Sequence, residues 1–246
     1  MKLLDLTLDT PAANLALDEA LLLQADRDPQ APDVLRLWES PTNFVVLGRS
    51  SKIADEVNQV WCGENCIPVL RRSSGGGTVV AGPGCLMYAV VLRYAQREHL
   101  RMLDQAHRFV MEKIRDAVIS AGVSCSIAGI CDLAINDRKI SGNALHCVKN
   151  AFLYHGTLLY GMDLGVVENC LGTPTRQPKY RQLRGHSEFV QTIPLSRPEL
   201  SESLVKVWNA TKTMDSFRAS LLQSVQSLMA NKYNDRNWNE SGRVRT

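Results

Sequence analysis

Two stretches of this chain, and a basic loop after them, carry side chains that could do chemistry together. The first reads Arg71-Arg72-Ser73-Ser74-Gly75-Gly76-Gly77-Thr78-Val79-Val80. Three consecutive glycines let backbone N–H groups approach a ligand with no Cβ in the way. The flanking arginines supply charge for a phosphate or carboxylate. Taken alone, the triplet is also an ordinary glycine-rich hairpin. The second stretch runs Asn136-Asp137-Arg138-Lys139-Ile140-Ser141-Gly142-Asn143. Its first pair is a turn signal. A lysine just past that turn can stabilise charge growing on a phosphate or carbonyl, although a solvated hairpin lysine has the same spacing. The basic loop, Thr173 to His186, carries Arg176, Lys179, Arg181, Arg184 and His186. It reads as a mobile segment able to order over an anion, or as a charged surface loop if no anion binds.

These residues need elements to position them. Leu3 to Leu8 reads as an edge strand. Thr10-Pro11 gives the N-cap and first residue of a helix over Ala12 to Ala25. That helix is apolar on most faces, so it is expected to be buried, with Asp18 and Glu19 on an exposed side or near a site. Val34 to Trp38 and Phe44 to Leu47 read as strands joined by a Ser40-Pro41 turn, with Arg49 just past the second. Asp55 to Val60 reads as a short helix. Pro68 to Tyr94 reads as strand, glycine loop, strand, Gly-Pro-Gly turn, strand. Asp104 to Gly122 has apolar residues at three- and four-residue spacing and is the clearest helix. His107 on it is expected to be a partly exposed helical histidine. Strands return from Ser124 to Tyr160, where His155-Gly156 interrupts an apolar run and Gly156 allows close approach. Leu164 to Leu171, Ser196 to Asn209 and the stripe Met214, Phe217, Leu221, Leu222, Val225, Leu228 and Met229 read as helices. Asn231 to Thr246 is polar and is expected to fray. Strands that do not strictly alternate with helices give an α+β or mixed α/β fold around a largely antiparallel sheet flanked by helices. The expected organisation is a single domain over 1–246: a core of about 3–193, C-terminal helices over 196–230 and a polar tail over 231–246.

Composition excludes several classes. Hydrophobic residues make up 45% and charged residues 22%, ordinary for a globular chain with a usable core. A net charge of +3 is no nucleic-acid signature. No apolar run reaches about 18 residues, so no membrane span is expected. Seven cysteines without a Cys-x-x-Cys pair fit reduced thiols in a cytoplasmic protein rather than a disulfide framework or a zinc site. The chain has no P-loop motif, no zincin motif and no nucleophile elbow.

In order, these segments resemble the lipoate–protein ligase A and octanoyltransferase family, relatives of the biotin–protein ligases. NLALDEALL at 14–22 is similar to the family's first helix and FVVLGRS at 44–50 to its second strand. RRSSGGGTVVAGPG at 71–84 resembles the lipoate-binding loop. DLAINDRKISGNAL at 132–145 resembles the segment with the essential lysine, which falls on Lys139. FLYHGTLLY at 152–160 and KYRQLRG at 179–185 match later segments. The resemblance covers roughly residues 3–193. It implies the catalytic-domain fold shared with biotin ligases and class II aminoacyl-tRNA synthetases. It also implies a two-step reaction, in which lipoate and ATP with Mg²⁺ give lipoyl-adenylate and the acyl group then passes to a lysine of a lipoyl-domain protein. Arg72, Ser74, Gly75, Gly76, Gly77, Thr78, Val79 and Val80 would form the lipoate and ATP loop. Lys139 would be catalytic. Gly142, His155 and Gly156 would line the acyl slot, with Arg181 and Arg184 on the loop that closes over the adenylate. No metal ligand is assigned.

Two departures keep a second reading in view. Ala81-Gly82-Pro83-Gly84-Cys85 stands where many such ligases place an acidic residue and an asparagine, and resembles octanoyltransferases instead. The family's C-terminal accessory domain is also expected to be missing after Thr246, so that either a separate accessory subunit replaces it or the protein does not make adenylate. The alternative activity is ATP-independent transfer from octanoyl-carrier protein through a cysteine thioester. Cys125, 14 residues before Lys139, would be the nucleophile and Cys131 a weaker candidate; both are also ordinary small apolar residues. A third alternative is a non-catalytic lipoate- or adenylate-binding protein.

Overall fold

A computed structural model of the chain describes residues 1–172, 177–212 and 215–244, without the side chains of residues 212 and 215–220. Arg176, Thr173, Met214 and the side chain of Phe217 therefore lie outside the described residues. Alternation along the central strands decides the layers. In β6 (Cys85–Arg93), Met87, Ala89 and Val91 face one core cluster, while Leu86, Tyr88, Val90 and Leu92 face another. Period-two alternation between two apolar faces is what a strand buried on both sides requires.

The main sheet has eight strands in the order β11-β1-β2-β6-β10-β9-β8-β7. They are β1 (Lys2–Asp5), β2 (Val34–Trp38), β6, β7 (Ser126–Ala128), β8 (Asp132–Ile135), β9 (Arg138–Cys147), β10 (Ala151–Leu159) and β11 (Thr211–Lys212). Pairing is antiparallel from β2 through β7 and parallel only where β1 meets β2 and β11. The expected mixed, largely antiparallel sheet flanked by helices is what forms. A smaller sheet joins β3 (Phe44–Leu47), β4 (Val69–Arg71) and β5 (Val79–Ala81) in the order β4-β3-β5. Helix α1 (Pro11–Arg27) packs on β6 and β10. On the opposite side α4 (Leu103–Ser120) packs with α7 (Arg197–Val207), where Ser196 and Glu199 form a capping box.

Several expectations need correction. The β1 strand is not an edge, because β11 pairs with its outer side. Strands β2 and β3, read as joined across Ser40-Pro41, belong to different sheets. The short helix near residue 55 is two helices, α2 (Ile53–Glu56) and α3 (Gln59–Glu64).

Asp18 and Glu19 are buried, at 2% and 6% exposure. A buried charge persists only with a partner, and each has one. Asp18 pairs with the buried Arg36 guanidinium. Glu19 accepts from Lys232 Nζ at 2.7 Å and from the Tyr233 hydroxyl at 2.7 Å.

Those last partners overturn the frayed tail. Arg236–Ser241 forms α9, with Trp238 buried. Arg71, fully buried, donates to the carbonyls of Trp238, Glu240, Gly48 and Ser51, while Trp238 Nε1 donates back to Arg71 O at 3.0 Å. The tail thus holds the residue that enters the glycine loop. Among the described residues no helix is long and apolar enough to cross a membrane.

Candidate active site

The two-residue turn Asn136-Asp137, with φ of +49° and +59°, fixes the β8–β9 hairpin. Left-handed dihedrals at both central positions match a type I′ turn, which suits Asn and Asp. The turn pairs Ile135 with Arg138 and Ala134 with Lys139, and a β-bulge beyond that pair makes Leu133 oppose Ser141 instead of Ile140. One residue of slip moves a side chain to the other face. Lys139 therefore shares a face with Asp132 and Gly142, which oppose each other across the hairpin. Lys139 Nζ lies 2.7 Å from Asp132 Oδ1. The second carboxylate oxygen of Asp132 accepts from the Tyr180 hydroxyl at 2.8 Å.

Lys139 opens into a cavity of about 860 Å³, within the size range of small-molecule sites. Leu15, Val46, Val80, Met87, Leu159 and Phe189 give it apolar walls. Arg72, Lys139, Lys179 and Arg181 bring positive charge to the same space. Of the expected site residues, Arg72, Gly76, Gly77, Thr78, Val79, Val80, Lys139, Gly142, His155, Gly156 and Arg181 line it. Ser74, Gly75, Arg184 and Cys125 are not among its lining residues.

The details change several roles. Arg72 spends its guanidinium on its own surroundings: Nε donates to Ser74 Oγ, Nη1 to Val46 O, and Nη2 to the Gly75 and Gly77 carbonyls. Burial lowers its pKa to about 10, leaving it charged at neutral pH. Arg72 thus shapes the loop. The Thr78 amide is occupied too. Glu56 Oε2 accepts from Thr78 N at 3.0 Å, from Thr78 Oγ1 at 2.5 Å and from Ser51 Oγ at 3.1 Å. Arg184 donates to Arg181 O, Tyr180 O and Asp137 O, so it staples the 177–185 turn. Arg181 is 5% exposed and lies over the Phe189 ring at 4.9 Å.

Gly142 and Gly156 both line the cavity and also make room for neighbouring side chains. A Cβ on Gly142 would stand 3.0 Å from Lys139 Nζ, and one on Gly156 only 1.7 Å from Asn143 Oδ1. Asn143 is wedged there because its Nδ2 donates to Cys131 O and Ser141 Oγ while its Oδ1 accepts from the Tyr88 hydroxyl.

Behind the loop, Ser74 Oγ meets His155 Nε2 at 2.6 Å, and His155 Nδ1 lies 3.4 Å from Asp18 Oδ2. These are the residue types of a hydrolase triad, but Ser74 is 1% exposed and receives a hydrogen bond from Arg72. The chain braces the loop against α1 and β10.

The ranking of the cysteines reverses. Cys125 packs against the α4 side, its thiol pushed up to about 11 chiefly by burial, with Arg115 and Asp116 as its charged neighbours. Cys131 lines the cavity beside Asn143. Burial and then Asp132 raise its pKa, while Lys139 and Arg72 pull it down.

Sequence reading missed Asp132, Asn143, Tyr180 and Glu56 as site residues. The turn type was the available signal for Asp132, because a two-residue hairpin brings 132 and 139 together. Nothing local marked Glu56. Among the described residues no group of three or more His, Cys, Asp or Glu side chains is placed to hold a metal ion. The cavity carboxylates, Asp132 and Glu56, both already have partners.

Apolar and cationic side chains thus line one cavity. Residues 10–225 match the family described as the Lipoyl protein ligase A/B catalytic domain, and the chain belongs to that family. It is 27% identical over 237 residues to lipoate–protein ligase 1 of Staphylococcus aureus, covering 93% of this chain and 70% of that protein. It superposes with a TM-score of 0.83 on a subunit of the bipartite lipoate protein ligase of Thermoplasma acidophilum, at 22% identity, covering 100% of this chain and 98% of that one. A lipoate–protein ligase A structure with bound ATP gives 0.79 at 21% identity, covering 98% and 99%. The fold is therefore that of lipoate ligase catalytic domains.

Proposed function

We propose that the domain activates lipoate or octanoate with ATP and passes the acyl group to a lysine of a lipoyl-domain protein. A carboxylate oxygen attacks the α-phosphorus and pyrophosphate leaves. The acceptor's neutral ε-amine then attacks the acyl carbonyl, AMP leaves, and the nitrogen loses a proton. The observation that carries this reading is Lys139, ion-paired to Asp132 in a cavity lined by both apolar and cationic side chains. An ammonium there would bridge the acyl carbonyl oxygen and an α-phosphate oxygen, stabilising charge that grows in both steps. Leu15, Met87 and Leu159 offer the acyl chain an apolar wall, and Lys179 and Arg181 face the phosphates. ATP and lipoate are substrates. Mg²⁺ would enter on the nucleotide's phosphate oxygens, as is common for this ion.

The relatives support the same reading: one close in fold was captured with ATP, and another is bipartite and accompanied by its E2 lipoyl domain. A lipoyl domain is the proposed partner here, with a second accessory subunit as in that archaeal system. The thioester alternative is favoured by one observation, the place of Cys131 near Lys139, and opposed by another, the burial that raises its thiol pKa.

Acyl-adenylate formation tests the proposal. The domain, with any accessory subunit, is incubated with lipoate, ATP and Mg²⁺, and protein-bound lipoyl-AMP is measured by mass spectrometry. The expected result is lipoyl-AMP with the parent protein and none with Lys139→Ala. Formation undiminished in Lys139→Ala would overturn the assignment.

A further inference from the structure

We propose that Asp132 positions Lys139 and that Tyr180 couples this positioning to the loop over the cavity. The inference rests on the reading of Lys139 as the catalytic cation. Asp132 is 8% exposed, and its two oxygens face different elements. One holds Lys139 Nζ on β9 at 2.7 Å, and the other holds the Tyr180 hydroxyl at 2.8 Å. Tyr180 sits on the short 3₁₀ turn Lys179–Arg181. Its ring lies against Gly129, just before β8, and packs on Phe189 at a centroid distance of 5.1 Å. The loop side chain, the carboxylate and the lysine thus form one hydrogen-bonded chain across the cavity mouth.

The geometry leaves the ammonium a defined direction. A lysine has three rotatable donors and four flexible methylenes, so a bare Lys139 would sample many positions. Asp132 takes one donor and fixes the stem against Gly142, where no Cβ intrudes. The remaining donors are then aimed by the carboxylate, and the carboxylate by Tyr180. Charged and titratable groups beside Lys139 on the packed elements are Asp132, Cys131, Tyr180 and His186. Asp132 is the one ion-paired to it. Arg184 and Arg138 secure the chain from outside: Arg184 bonds Tyr180 O, and Arg138 bonds Ser187 O and Val190 O.

Two readouts test this, one independent of turnover. Competitive amine labelling of the protein at one fixed pH gives the Lys139 labelling rate by peptide mass spectrometry. Asp132→Asn frees the ammonium from its partner, so Lys139 labelling is expected to become faster. Tyr180→Phe, which keeps the ring and loses only the hydroxyl, is expected to change it in the same direction by less. In lipoyl-AMP formation, Tyr180→Phe is expected to lower kcat by roughly tenfold, the scale of one hydrogen bond to a charged group, with KM for lipoate within about twofold. Leu183→Ala, 85% exposed on the same loop, is expected to leave both readouts unchanged. Labelling rates that coincide for parent, Asp132→Asn and Tyr180→Phe would overturn the proposal, whatever the activity. A changed labelling rate in a protein that forms no lipoyl-AMP would instead keep the positioning chain and reject the reaction. If Asp132→Asn does not fold, Tyr180→Phe alone decides between these outcomes.

Discussion

Replacing Gly156 by alanine should damage the protein through one identifiable neighbour. A Cβ there would stand 1.7 Å from Asn143 Oδ1, 2.7 Å from Asn143 Cγ and 2.9 Å from Gly142 O. Gly156 lies mid-strand in β10, paired with Tyr88 on β6 and Asn143 on β9, so the backbone cannot simply retreat. Overpacking of this kind costs about 1–3 kcal/mol. Expelling the Asn143 amide also strands the Tyr88 hydroxyl and the Cys131 carbonyl, at about 1–3 kcal/mol for a buried group left unsatisfied. Counted for both stranded groups, the sum of about 3–9 kcal/mol is a large part of an ordinary domain's stability of about 5–15 kcal/mol. Asn143→Ala alone strands the same two groups and should cost about 2–6 kcal/mol. The double variant, with the amide gone, should be scarcely worse than Asn143→Ala. Urea unfolding of the four proteins is the assay, and a coupling of at least about 1.5 kcal/mol is expected. Costs that add to within about 0.5 kcal/mol would refute the steric account.

Trp238→Ala should cost about 3–5 kcal/mol, as for other buried tryptophans, because it removes a side chain that is 3% exposed and bonded to Arg71. Urea midpoints should show it, and a loss below about 0.5 kcal/mol, the usual size of a surface change, would contradict docking of the tail. Acid should destabilise the fold. Burial lowers the pKa values of His107, His146 and His186, so from about pH 6.5 downward the unfolded chain takes up protons that the folded protein refuses. The stabilisation is complete above the ordinary histidine value and falls as pH drops toward the lowered ones. Urea midpoints at pH 7.5, 6.5 and 5.5 should therefore decline, and a flat or rising series would contradict the burial of these rings.

Legibility in the sequence followed locality. Strands β2 and β3 were readable to the residue because alternation and turn residues sit next to each other in sequence, and Thr10 caps α1 as expected through a bond from Ala13 N. The glycine loop, Lys139 and Arg181 were readable as chemistry and do meet in one cavity. What failed depended on partners far along the chain. Asp18 looked solvent-facing because Arg36 is a neighbour only after β2 lies under α1. The 231–246 segment looked frayed because its polar residues serve Arg71 and Glu19, more than 160 positions away. The bulge in β9, which sets Gly142 opposite Asp132, has no local composition signal. Gly156 was legible as a close approach, but not what approaches it.

The most direct measurement asks whether acyl transfer to a lipoyl domain requires ATP. The protein, with any accessory subunit, is given lipoate, ATP and Mg²⁺ in one arm and octanoyl-carrier protein without ATP in the other. The acceptor lysine is then read by intact mass. Modification is expected only in the first arm, undiminished by Cys125→Ala or Cys131→Ala and abolished by Lys139→Ala. Modification in the ATP-free arm that disappears with Cys131→Ala or Cys125→Ala would contradict the ligase assignment and make the protein a thioester-forming transferase.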